Sequence, residues 1–74
     1  MPKYTWEATP HLTRPDVFAE GTEIGRRHFP DDETAIEWLE RTFARHSHGN
    51  AKLSMKLTIG NRTVCARKTE RNHD

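Results

Sequence analysis

Only one stretch of this chain carries a helical hydrophobic period. It runs from Pro30 to Gly49, PDDETAIEWLERTFARHSHG. Ala35, Ile36, Leu39, Phe43 and His46 fall on one stripe at helical spacing. Asp31 is a good N-cap, Asp32 and Glu33 sit where the helix dipole favours negative charge, and Pro30 and Ala35 occupy the staple positions. Glu37 and Arg41 form a favourable i,i+4 pair. Arg45, His46 and His48 lie near the C-terminal end, and Gly49 suits the C′ position. The predicted helix therefore spans 32–47. A solitary helix has a single apolar side and no second helix to bury it against. It must cover one face of an antiparallel sheet.

The flanking sequence supplies that sheet. In KYTWEA, 3–8, Tyr4, Trp6 and Ala8 alternate with Lys3, Thr5 and Glu7, the period of a half-buried strand. TPHLTRPD, 9–16, contains two prolines and reads as a loop. VFAEGTEI, 17–24, allows a short hairpin turning at Glu20-Gly21. TEIGRRHF, 22–29, reads as a strand in which Ile24 and Phe29 have opposite parity, and a bulge at Gly25 would reconcile them. KLSMKLTIGNRTVCARK, 52–68, is the clearest hairpin, with Gly60-Asn61 as a type II′ or I′ turn. A regular register from that turn pairs Ile59 with Arg62, Leu57 with Val64 and Met55 with Ala66. It places Ser54, Lys56, Thr63, Cys65 and Arg67 together on the opposite, outward face.

The expectation is a small α+β domain: one amphipathic helix on a four- to five-stranded antiparallel sheet, in the order β(β)βαββ. A single domain covers 1–69 and residues 70–74 fray. The candidate core comprises Tyr4, Trp6, Val17, Phe18, Ile24, Phe29, Ile36, Leu39, Phe43, Leu53, Met55, Leu57, Ile59, Val64 and Ala66. With 74 residues the chain has little volume to enclose, so deep ligand pockets and large cofactors are not expected. No apolar h-region follows Met1 and no run of eighteen apolar residues occurs, so neither a signal peptide nor a spanning helix is expected. The one cysteine, Cys65, has no partner for a disulfide. Together these favour a reducing, cytoplasmic setting.

The pattern Phe29-x-Asp31-x-x-x-Ala35-x-x-Trp38-Leu39 resembles the last-strand-to-helix joint of the small arm-binding domains of tyrosine recombinases. Those domains place a sheet on DNA. The likeness covers about eleven of the 74 residues, and the chain departs from the family by adding a hairpin after the helix. It carries no site residues with it.

Candidate chemistry is sparse. His46-x-His48 with Cys65 has no recognised zinc spacing, and a Cys65–His nucleophilic pair would need a pocket and a third, orienting group. No catalytic, metal or cofactor site is expected, and no enzyme activity. The formal net charge is +1, so any basic surface has to be local. The C-terminal hairpin supplies one, with Lys52, Lys56 and Arg67, and Arg71 beyond. Such a face suits phosphate contact but offers no aromatic for base stacking. Trp38, flanked by Thr34, Arg41 and Arg45, suits a protein contact, because Trp and Arg dominate hot spots.

The leading expectation is a non-enzymatic binding protein that regulates or inhibits a macromolecular machine by docking on a protein partner. That partner belongs to transcription or other nucleic-acid machinery. The docking residues are Trp38, Arg41 and Arg45. In size and style the chain resembles the short regulators of phages, such as RNA polymerase inhibitors and anti-CRISPR proteins, which act in the host cytoplasm. The alternative is a DNA- or RNA-binding module using Lys52, Lys56, Arg67 and Arg71.

Overall fold

The computed structural model describes residues 1–13, 21–48 and 52–69. Its elements are β1 (Lys3–Thr9), β2 (Glu23–His28), α1 (Asp32–Ser47), β3 (Ser54–Ile59) and β4 (Arg62–Lys68). The four strands form one antiparallel sheet in the order β2-β1-β3-β4, and α1 packs against β3 and β4. This is the expected α+β architecture. The possible short strand after Val17, the core candidates Val17 and Phe18, Gly49, Arg71 and the 70–74 tail lie outside the described residues.

The helix starts where its sequence directs. Asp31 takes an extended conformation and its Oδ1 accepts from the Thr34 N–H at 2.9 Å. The element then runs its full 16 residues, with Ala35 and Leu39 buried and Ile36, Phe43 and His46 half-buried on the same stripe. Beneath it lie Tyr4, Ala8, Leu53, Met55 and Leu57, all nearly inaccessible, with Phe29 closing one end. Tyr4 donates its hydroxyl to Asp32 Oδ1 at 2.6 Å, so the buried ring still finds an acceptor at the helix start.

The C-terminal hairpin turns at Gly60 with φ +60°, and no non-glycine residue among those described has positive φ, the sign pattern of a type II′ turn. Its register differs from the expected one beyond the first pairs. Ile59 pairs with Arg62 and Thr58 with Thr63, but a bulge follows, and Leu57 pairs with Cys65 and Met55 with Arg67. Val64 is the extra residue. The shift turns Cys65 and Arg67 to the helix side and leaves Lys56 opposite Ala66. The outward placement of Cys65 and Arg67, and the Leu57–Val64 and Met55–Ala66 pairings, are thereby corrected. Ala66 leaves the core as well, being exposed.

Gly25 hosts no bulge. It pairs in register with Trp6 in an uninterrupted β1–β2 ladder. The parity conflict is resolved because Ile24 is not in the core: it is 59% exposed, on the face away from the helix. Gly25 has a different role. The Trp6 indole lies against its Cα, and a Cβ there would meet indole atoms at 2.5 Å. Gly25→Ala is therefore expected to destabilise the fold by about 1–3 kcal/mol. A urea titration would show a lower midpoint, and the loss should shrink in a Trp6→Phe background, where the obstructing ring is absent. Equal losses in both backgrounds would show that the indole is not the obstacle.

Candidate functional site

Charged side chains divide between the two faces of the sheet according to strand parity. On the helix side, acids of α1 meet arginines. Asp32 binds Arg62 at 3.0 Å, Glu40 binds Arg67, and Glu37 binds Arg41 at 3.2 Å within the helix. All three pairs are well exposed, so each contributes little stability. They leave Arg41, Arg62 and Arg67 of this side each matched to an acid.

Among the described residues no layer covers the opposite face. Along β2 it carries Ile24, Arg26 and His28; along β1, Lys3, Thr5, Glu7 and Thr9; along β3, Ser54, Lys56 and Thr58; along β4, Thr63, Ala66 and Lys68. Lys3, Arg26, Lys56 and Lys68 make no ion pair among the described residues. Among the described residues Glu7 is the one carboxylate on this surface, directly across from Lys56. His28 holds its Nδ1 3.0 Å from the Met1 carbonyl oxygen. A side bearing four unpaired cations and one acid has a local excess that the net charge of +1 conceals.

Of the sequence candidates for nucleic-acid contact, only Lys56 lies on this face. Arg67 is on the helix side with Glu40, Lys52 precedes β3 and has an interaction of its own, and Arg71 is outside the described residues. Sequence reasoning missed Lys3, Arg26 and Lys68. The alternation of β1 and β2 places Lys3 and Arg26 on their outer side, but only the β1–β3 pairing joins that side to Lys56. Lys68 needed the bulge at Val64 to reach it.

The protein-docking candidates separate too. Trp38 is half-buried, 5.9 Å from the Trp6 ring and 5.6 Å from Phe29, while Arg41 and Arg45 are exposed. The Arg27 guanidinium lies over both Phe29 (5.6 Å) and Trp38 (5.1 Å). These rings and Arg41 border a shallow groove of 540 Å³ beside the helix start. Arg45 is not among its lining residues.

Comparison with known proteins gives no matching family, no matching characterised protein and no matching solved structure. Among the described residues no cluster of metal-ligating side chains occurs and no helix is long and apolar enough to cross a membrane.

Several groups have displaced proton affinities. Hydrogen bonds from Arg62 and then Tyr4 hold the Asp32 carboxyl below the usual range, and the Thr34 N–H and hydroxyl do the same for Asp31. At Glu23, burial opposes ionisation. It is outweighed by the Leu12 N–H, the Thr13 N–H and the Thr13 hydroxyl, which tie the segment after β1 to β2. The Asp32 bond in turn raises the Tyr4 phenol. Burial, with Glu40 nearby, pushes the Cys65 thiol up against a smaller opposing effect of Arg67.

Two outcomes are expected. A carboxyl depressed by folding stabilises the native state above its unfolded value, about 4, and that contribution is lost as pH falls through the lower folded value. The urea midpoint should hold down to about pH 5 and then fall as these carboxyls protonate. Asp32→Asn should flatten that acid limb, and an unchanged limb would remove Asp32 from the account. Cys65 should react with a disulfide reagent at pH 8 about tenfold more slowly in the folded chain than in urea, since both burial and a raised pKa suppress the thiolate.

Proposed function

We propose that this chain is a non-enzymatic nucleic-acid-binding module whose uncovered sheet face lies against the phosphate backbone of a duplex. One observation carries the reading: among the described residues Lys3, Arg26, Lys56 and Lys68 share that face without ion-pair partners, while Arg41, Arg62 and Arg67 of the helix side are matched to α1 acids. Counterion release drives binding by such a surface. Thr5, Thr9, Ser54, Thr58 and Thr63 add hydroxyls suited to phosphate oxygens. Among the described residues no Phe, Tyr or Trp lies on this face, so a single strand gains little stacking there and the denser charge of a duplex is preferred. Contact is to the backbone and largely indifferent to sequence. From sequence alone the protein-docking reading stood first. The collection of four unpaired cations on one uncovered face is what reverses the order. A module of this kind would act as an accessory or inhibitor of transcription or other nucleic-acid machinery.

Fluorescence anisotropy with a labelled DNA duplex, and with one of its strands, tests the proposal. Duplex binding should weaken log-linearly with salt, with a slope near −3 to −4 for about four phosphate contacts. Lys56→Glu with Lys68→Glu should weaken it at least tenfold at about 100 mM salt and lower the slope by about 2. Glu7→Gln should tighten it. Absence of duplex binding at low salt, or an unchanged isotherm in the folded double variant, would reject this function.

A further inference from the structure

A second surface, on the helix side, has a different chemistry. Its floor is Phe29, Trp38 and Pro30, and its rim is Arg27, Arg41 and Glu37. Phe29 is buried at 4% exposure and Trp38 is half-buried, so the floor is fixed by the core rather than folded over it. Trp38 is wedged against Trp6 and Phe29, and Phe29 meets Tyr4 edge-on at 5.5 Å.

Arg27 is the informative residue. Its guanidinium carbon lies 5.6 Å from the centre of the Phe29 ring and 5.1 Å from that of Trp38, so both rings attract the cation. Arg27 makes no ion pair among the described residues. A guanidinium held beside an apolar floor without an acidic partner fits a carboxylate, which its fork can take bidentately. Arg41, across the groove, is engaged only by the exposed Glu37, a pair weak enough to exchange. Two arginines against one glutamate give the rim a positive balance.

We propose that this groove docks an acidic peptide segment of a protein partner: one apolar side chain set on Trp38 and Pro30, with carboxylates taken up by Arg27 and Arg41. The site stands apart from the nucleic-acid face and does not depend on it. Arg27 and Arg26 are consecutive on β2 and point to opposite sides of the sheet.

The test uses the intact chain, isotopically labelled, and three short capped peptides in the absence of nucleic acid. These are Ac-DELFDE-amide, its basic counterpart Ac-KRLFKR-amide, and the anchor-free Ac-DESSDE-amide. The first should shift the Trp38 indole N–H and the Arg27 and Thr34 amide signals, saturating below about 1 mM. The other two should bind at least about tenfold more weakly. Arg27→Gln should weaken the acidic peptide about tenfold. Arg41→Glu should weaken it as well, and Glu37→Gln should tighten it; both positions are exposed, which keeps the fold out of the comparison. Absence of shifts at the Trp38 indole, equal binding of the basic peptide, or an unaltered isotherm in both arginine variants would overturn the proposal. Displacement of the bound peptide by duplex DNA would overturn it too, by assigning the groove to the nucleic-acid surface. Because the peptide titration contains no DNA, failure of the duplex reading leaves its outcome readable.

Discussion

A single helix is too narrow for this sheet. Side chains included, a helix is about 10–12 Å across, while adjacent strands are about 4.8 Å apart. It can roof about two strands of four, and α1 roofs β3 and β4. The helix-side surface of β1 and β2 must be closed in another way. Long side chains do it: Trp6 lies flat over Gly25, Trp38 leans from the helix onto Trp6 and Phe29, and Arg27 stacks on the outer edge. Aromatics suit this task because each buries a large area from a single backbone position. The groove beside Trp38 is the margin of that improvised roof, where the rings meet solvent.

The same shortage leaves the far face bare. With no second helix to cover it, that face must be polar, and alternation along each strand makes it so. Polarity alone does not dictate sign. Opposite charges facing each other across strands would satisfy solubility equally well. Here four of the chain's eleven acids, Asp32, Glu33, Glu37 and Glu40, belong to α1, and three of them hold arginines on their own side. Among the described residues the cations of the bare face are opposed by Glu7 alone. Charge segregation therefore follows from composition by element, acidic helix against basic strands, and is compatible with a chain that is nearly neutral as a whole.

Local signals in the sequence were sufficient for the local elements. The helix could be bounded at 32 and 47 because Asp31 caps it and its stripe keeps one period throughout. Gly60 marked the hairpin turn for a stereochemical reason, its positive φ. Long-range placement was harder. Nothing in TIGNRTVCAR distinguishes a regular ladder from one with Val64 as an extra residue, because Val64, Cys65 and Ala66 are all acceptable on either side. That ambiguity sent Cys65 and Arg67 to the wrong face and hid Lys68. Gly25 invited a bulge because its parity conflict was visible, whereas the indole that requires it to be glycine comes from another strand. The basic face was scattered over four strands and became legible only when β1 was seen between β2 and β3.

Strand β2 is where the two proposed surfaces meet, and its register decides both. Arg26 belongs to the bare face and Arg27 to the groove, one residue apart. A slip of one position would exchange them. It would carry Arg26 onto the aromatic roof and Arg27 into the cationic face, and bring Ile24 or Arg26 under the Trp6 ring in place of glycine. Either residue would be costly there, because a Cβ at that point meets the indole at 2.5 Å and the ring must shift. The close approach of Trp6 to Gly25 is thus a packing contact with a functional consequence: it is the feature of β2 that tells one arginine from the other. Where specificity lies in which side chain faces which way, that choice rests here on the absence of one methyl group.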